Sequence, residues 1–239
     1  MRYGIFGDVH SNLAALEAVL AAFQQEGVDR YLCLGDIVGY GADAQECVAR
    51  VRALAPVIVA GNHDWAVGER LPLDFFNSHA RAAITWTRRN VPRDDIEWLA
   101  SLDLIRVEGD VTLAHSTVHD PAVFDYLQTP YDAYLSFRAM TTRDGFVGHS
   151  HIPVTFFDGT PITYAVGDAV RFAARRTISN VGSVGQPRDE DPRASFGVFD
   201  TDTRILEIRR VEYDVETTVA RIRAAGLPPI LADRLRLGR

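Results

Sequence analysis

The sequence predicts an α/β fold in which two β-sheets pack face to face and helices cover their outer sides. Three observations carry that expectation. The first third alternates short apolar runs with helical periodicity, the stretch beyond residue 104 is rich in β-type segments, and neither an internal repeat nor a linker divides the chain. With 239 residues, 47% of them hydrophobic, the chain can bury a large core as one domain spanning 1–239.

Residues 2–6 are a short apolar strand ending at the Gly7-Asp8 turn. Leu13, Leu16, Val19, Leu20 and Phe23 then recur at helical spacing, with Ser11 or Asn12 as the cap and Gly27 as the stop. A second strand at 31–34 runs into Gly35-Asp36, and a second helix covers 43–54. Pro56 precedes a third strand at 57–60, which ends at Gly61-Asn62-His63. Residues 65–105 read as mostly helical, with Trp86, Trp98 and Leu99 as packing anchors. Strands are expected at 104–107, 111–114, 145–148, 153–157, 162–166, 176–181, 195–200 and 204–212, and a helix at 215–225. The tail to Arg239 has no clear pattern. The stretches 65–95 and 117–142 are candidate cap-like insertions, where specificity loops would lie.

Bulk properties remove several function classes. A net charge of −7 argues against a broad nucleic-acid surface, although bound cations would let an acidic protein take an anionic substrate. Cys33 and Cys47 match neither a redox pair nor a zinc knuckle and read as reduced core thiols of a cytoplasmic protein. Asp8 and His10 stand where a secretory signal would lie, and no apolar run approaches the ~20 residues of a membrane span. All 25 basic residues are arginine, which excludes Schiff-base chemistry and the lysine of a phosphate-binding P-loop.

Seven positions able to hold metal fall in five short motifs: Asp8 and His10 in GDVH, Asp36 in GDIVGYG, Asn62 in GNHD, His115 in LAHS, and His149 and His151 in GHSH. Most follow directly on an apolar strand, so a repeated strand-then-loop layout brings distant residues to one pocket. Six of the seven histidines lie in or just after these motifs, and His79 alone stands apart as a structural residue. One histidine alone is ordinarily a packed or surface residue; the ordered set is not so easily explained. Carboxylates with imidazoles suit first-row divalent ions, and two such ions about 3.5–4 Å apart can grip both oxygens of an in-line phosphoryl displacement. Glycine stands beside nearly every ligand, letting backbone approach closely. His149 and His151 would point to opposite faces of a regular strand, so a turn begun at Gly148 is expected instead.

The order DxH, GDxxG, GNHD, H, GHSH resembles the calcineurin-like metallophosphoesterase superfamily, and NVGSVGQPR at 180–188 is similar to a segment of its small bacterial phosphodiesterase branch. The resemblance implies a β-sandwich flanked by helices, in the four-layer metallophosphoesterase architecture. It implies that Asp8, His10 and His151 hold one ion and that Asn62, His115 and His149 hold the other, with Asp36 bridging. Catalysis would rest on Asp36 and on His63, which would serve the scissile phosphate or leaving oxygen as a donor rather than as a ligand. The implied cofactors are two divalent ions, Mn²⁺ first, with Fe, Zn, Ni or Mg as alternatives. The implied reaction is hydrolysis of a small-molecule phosphate ester, a nucleotide among the candidates, by in-line attack of a metal-bridging hydroxide. Serine/threonine phosphatases of the superfamily extend the second motif as GDxxDRG; here Gly39 and Tyr40 occupy those places. That departure favours a phosphodiester over a protein phosphatase substrate and leaves the partner that orients His63 open, with Asp64 adjacent in sequence. A phosphomonoesterase, a dinucleoside-polyphosphate hydrolase and a metal-binding scaffold without catalysis are the alternatives.

Three further residues are weighed as substrate contacts. Arg188 follows the glycine-rich loop 182–185 and either reaches phosphate or is a solvated turn residue. Tyr40 either stacks on a substrate ring or packs on helix 43–54. His119, four residues after His115, lines the pocket or lies on the surface. The pairs Arg88-Arg89, Arg175-Arg176 and Arg209-Arg210 read as solvated charges.

Overall fold

The computed structural model describes residues 1–239. In chain order the elements are β1 (Arg2–Phe6), α1 (Leu13–Glu26), β2 (Arg30–Cys33), α2 (Ala44–Leu54), β3 (Val57–Ile58), α3 (Asn62–Val67), α4 (Ser78–Asn90), α5 (Arg93–Ser101), β4 (Ile105–Glu108) and β5 (Val111–Ala114). There follow α6 (Pro130–Ala139), β6 (Asp144–Val147), β7 (Val154–Phe157), β8 (Thr163–Ala165), β9 (Ala169–Arg171), β10 (Thr177–Asn180), β11 (Ala194–Asp200), β12 (Ile205–Val211), α7 (Val215–Ala224) and α8 (Pro229–Asp233).

Twelve strands form two six-stranded mixed sheets, ordered β3-β2-β1-β11-β12-β9 and β4-β5-β6-β10-β7-β8. β1, β2 and β3 run parallel in the first sheet, and β5, β6 and β10 run parallel in the second. Alternation along each strand splits the side chains between two cores. In β1, Tyr3 and Ile5 face the second sheet, packing with Leu113, Phe146, Phe172 and Phe199. Phe6 faces the helices and packs with Leu16, Val19 and Phe23 of α1. A third cluster joins Ala133 and Phe137 of α6 to Phe156 and Ile178 on the outer face of the second sheet. The result is helices, sheet, sheet and helix in four layers, as expected.

α1 begins where the side chain of Asn12 accepts the N–H of Ala15 and ends at Gly27 in the left-handed region. The third strand is shorter than expected. Val59 still donates to Cys33 O, but Ala60 turns away to Asp103 O at 2.8 Å, leaving the sheet ahead of the Gly61 loop. Residues 117–142 contain the helix α6, opened by a capping box between Thr129 and Asp132 with Pro130 in the first turn. The tail is ordered too: α8 and a short 3₁₀ turn bury Leu231 and Leu235 against the helical core. No helix is long and apolar enough to cross a membrane.

Candidate metal centre

The loops leaving β1, β2 and β3 meet those leaving β5 and β6 at one edge of the sandwich. Backbone hydrogen bonds zip the first two together: Asp8 N donates to Gly35 O, His10 N to Asp36 O and Ser11 N to Ile37 O, all at 2.9–3.0 Å. Five of the seven expected ligands sit in the left-handed backbone region, with φ of 52° at Asp8, 49° at His10, 51° at Asp36, 68° at His149 and 62° at His151. Each such residue costs roughly 1–3 kcal/mol and persists only where surrounding contacts impose it. This geometry also explains how His149 and His151 reach one site from a single loop.

The 180–188 segment supplies many of those contacts. Asn180 Nδ2 donates to Gly148 O at 2.5 Å and to Ser150 Oγ at 3.0 Å, while its Oδ1 accepts from Gly182 N. Ser183 Oγ and Gly185 N both donate to Asp8 O. Asn180 and Ser183 were not singled out from sequence beyond their place in NVGSVGQPR; only the resemblance of that segment marked them.

Six of the seven positions fall into two groups. Asp8, His10 and His151 form one and Asp36, His115 and His149 the other, each with ligand atoms within 4.8 Å of one another, and His63 closes a third with His10 and Asp36. Asp36 lies between them. Its Oδ1 accepts the backbone N–H of His63 at 2.8 Å, and its Oδ2 stands 3.6 Å from His10 Nε2 and 3.4 Å from His115 Nε2. Asn62 lines the same cleft, with its Oδ1 buried and without a hydrogen-bond partner. A Cβ on Gly61 would fall 2.0 Å from Asp36 Oδ1, so the close approach of this loop requires glycine.

The histidine tautomers are set from behind. The Nδ1 atoms of His10, His115 and His151 face the carbonyls of Val38, Leu34 and Gln186 at 3.2, 2.7 and 2.5 Å. Donation there leaves each Nε2 as a lone pair aimed into the site, the arrangement metal-bound histidines adopt. Yet His10 Nε2 lies 3.1 Å from His151 Nε2, and His115 Nε2 lies 3.2 Å from His149 Nδ1. Lone pairs that close repel unless a cation or proton separates them. Burial drives His10 and His151 below the usual imidazole range, His63 to about 4 and His149 to about 3, each disfavouring the proton. Burial also pushes His115 down, but the Asp36 carboxylate outweighs it and lifts His115 to about 9. The donor set, the orphaned Asn62 oxygen and the inward lone pairs fit divalent cations.

Asp64 does not orient His63. Its Oδ1 accepts from Ile37 N at 2.9 Å and Val38 N at 3.3 Å, and its Oδ2 accepts from Gly61 N at 3.0 Å, so it ties two ligand loops together. Burial, with the Asp36 charge nearby, pushes its carboxyl up to about 7. His63 Nδ1 is buried without a partner, and the ring is packed by Tyr40 at 4.4 Å, His10 at 5.0 Å and Phe76 at 5.1 Å between centroids.

A cleft of about 210 Å³ opens over these groups. Tyr40 and Arg188 line it; the arginine Nη2 is 3.5 Å from Tyr40 Oη and 3.1 Å from Gln186 Oε1, and its Nε is buried without a partner. His119 does not line it. The backbone after His115 is drawn under α6 by Val118 N donating to Ser136 Oγ, which leaves His119 exposed with Nδ1 3.3 Å from the same hydroxyl. His79 lies exposed in the first turn of α4, away from the cleft. The opposite wall comes from Phe75, Phe76, Asn77, Val123, Phe124 and Tyr126, which lie in the stretches 65–95 and 117–142 but were not named individually from sequence.

The family model for the calcineurin-like phosphoesterase superfamily domain matches residues 1–204, most of the chain. The chain belongs to the calcineurin-like phosphoesterase superfamily. Across 240 aligned residues it is 38% identical to an uncharacterized protein of Methanocaldococcus jannaschii, covering 98% of this chain and 97% of that one. A metallophosphoesterase crystal structure from Sphaerobacter thermophilus superposes with a TM-score of 0.89 at 41% identity, over 100% of this chain and 99% of that one. A hypothetical protein from Pyrococcus horikoshii shares the fold, with a TM-score of 0.81 at 20% identity, over 100% and 98% of the two chains. Calcineurin-like phosphoesterases typically bind divalent metals, and the clustered histidines and aspartates described above are the residues of this chain able to do so.

Proposed function

We propose that this chain is a dinuclear metal-dependent phosphodiesterase acting on a small phosphate ester. The observation that carries the reading is the facing of His10 and His151 Nε2 at 3.1 Å, each with Nδ1 against a backbone carbonyl. Buried acceptors in that relation call for a cation, and Asp8 stands 3.2 Å from His151 to complete a donor set. Asp8, His10 and His151 would hold one ion and Asn62, His115 and His149 the other, with Asp36 shared between them. Two divalent ions bound there, Mn²⁺ first among candidates, supply Lewis acidity for water activation and for charge on the phosphoryl oxygens.

The protein groups do the rest. His63, buried at the mouth of α3, offers a ring nitrogen to the leaving oxygen. Arg188, with an unpaired buried Nε, binds a phosphoryl oxygen. Gly39 and Tyr40 stand where the protein phosphatases carry an aspartate and an arginine, and the organic wall of the cleft supports an ester that carries an organic group beside the phosphate. Buried free Cys33 and Cys47 support a reducing, cytoplasmic setting.

The test is hydrolysis of bis-p-nitrophenyl phosphate against p-nitrophenyl phosphate after chelation and return of Mn²⁺. Diester turnover restored by metal is expected, and Asp36→Asn is expected to lower kcat by about 10²–10³-fold. Near wild-type turnover in Asp36→Asn with both ions bound would sink the assignment, and a preference for the monoester would move it to a phosphatase.

A further inference from the structure

The wall of the cleft facing the ligand loops is organic, and two of its rings are largely bare. Phe75 is 67% exposed and Tyr126 46% exposed, and Val123 beside them is 45% exposed. They arrive from separate segments: Phe75 from a 3₁₀ turn before α4, Tyr126 from the stretch between β5 and α6. Burying such rings inward would stabilise the fold by roughly 1.5–3 kcal/mol each, so their display at one cleft is a cost to the isolated chain. Single exposed apolar residues need no explanation, but several at the mouth of a polar cleft mark a ligand surface.

The arrangement is selective as well as apolar. One face of Tyr126 stacks on His149 at 4.4 Å with the planes 17° apart, which fixes the ring and leaves its other face for a ligand. Asn77 lines the same cleft, and its Oδ1 is consumed by the N–H groups of His79 and Ala80 at 3.0 Å each as the cap of α4. Its Nδ2 is therefore the free function, a donor on the cleft lining. A flat heterocycle with acceptors on its edge meets all three requirements: two ring surfaces and one donor.

We propose that the cleft takes an ester bearing a nucleobase, which rests against Phe75 and Tyr126 and accepts a hydrogen bond from Asn77 Nδ2. This deepens the phosphoesterase reading and rests on it for the placement of phosphate at the metal groups. A base stacked on an aromatic side chain binds about tenfold or more tighter than the same ligand without it.

The experiment is calorimetric titration of the Mn²⁺-loaded protein with uridine 5′-monophosphate and with ribose 5-phosphate, which share the ribose and the phosphate and differ at C1′, where the first carries a base and the second a hydroxyl. The expected result is a preference for the nucleotide of about tenfold, reduced severalfold in Phe75→Ala and in Tyr126→Leu and retained in Phe75→Trp. Phe75 lies outside the buried core, so its variant keeps the fold, checked by its melting profile. Equal affinities for the two ligands, no binding of the nucleotide, or a preference unchanged by both substitutions would overturn the proposal. Because titration needs no turnover, failure to cleave any diester would remove the catalytic reading while this result still decides the base site.

Discussion

Gly39 lies flat against His63: a Cβ added at residue 39 would stand 2.2 Å from the ring's Nδ1, and its φ of +94° is a conformation that residues with side chains rarely adopt. The ring nitrogen that a carboxylate would hold is thus met by bare backbone. Tyr40, Phe76 and His10 hold the ring by contact instead. Gly39→Ala is expected to displace His63 and to cost roughly 1–3 kcal/mol of stability. Its kcat should fall while metal content stays at the wild-type level, read by elemental analysis beside the kinetics. Unchanged kcat would mean that the position of His63 does not matter to the reaction.

Asn180 reaches the GHSH loop through its side chain alone. Asn180→Ala removes one donor each to Gly148 O and Ser150 Oγ, and leaves the buried Gly182 N without its acceptor. A loss of about 1–3 kcal/mol in denaturant unfolding is expected. Metal affinity should weaken by about 10–100-fold, because the loop that aims His149 and His151 loses its brace. A stability loss with unaltered affinity would show that the loop keeps its geometry without Asn180.

Arg188 should be needed in its own form. No carboxylate is among its partners, and Tyr40 lies under the guanidinium with 5.9 Å from Cζ to the ring centroid. Arg188→Ala is expected to lower kcat/KM by about tenfold or more, and Arg188→Lys to restore little of it, since an ammonium lacks the planar fork. Steady-state kinetics on one diester decides the point, and full rescue by lysine would reduce the residue to a point charge.

The metal-free protein should respond to pH through His115. Asp36 raises its folded value to about 9, above the ordinary 6.5, so protonated His115 contributes stability that is fully present below about pH 6.5 and lost as pH rises through 9. Burial of His10, His63, His149 and His151 works the opposite way only below about pH 6.5, so chelated protein should unfold at lower denaturant at pH 9.5 than at pH 7.5. Metal needs the neutral ring, so loading should release a proton and remove this trend. Identical trends with and without chelator would contradict the placement of His115 beside a cation.

Sequence made the ligand side legible for a physical reason. Asp8, Asp36 and Asn62 each follow an apolar strand and a glycine, and a strand end is where a loop can turn side chains inward. The left-handed backbone of His149 and His151 leaves no mark on residue type, so only their failure to fit a strand hinted at it. The organic wall was legible as segments, 65–95 and 117–142, but not as residues, because Phe75 and Tyr126 look like ordinary core aromatics; what distinguishes them is exposure, which arises from tertiary placement. His119 stood open between pocket and surface, because its nearness to His115 in sequence allows either. The bond from Val118 N to Ser136 Oγ carries it to the outside.

Each ligand group draws on both sheets: Asp8 and His10 leave β1 while His151 follows β6, and Asp36 leaves β2 while His115 and His149 follow β5 and β6. Neither of these two groups is complete on one sheet. During synthesis Asp8 would emerge early, yet its partner His151 lies 143 positions later (151 − 8), so nascent chain of that length lacks the full donor set of either group. Ion capture then becomes a late checkpoint of assembly, passed only after the two halves of the sandwich have closed on each other. A cell short of the metal would accumulate closed but unlatched chains rather than half-built ones.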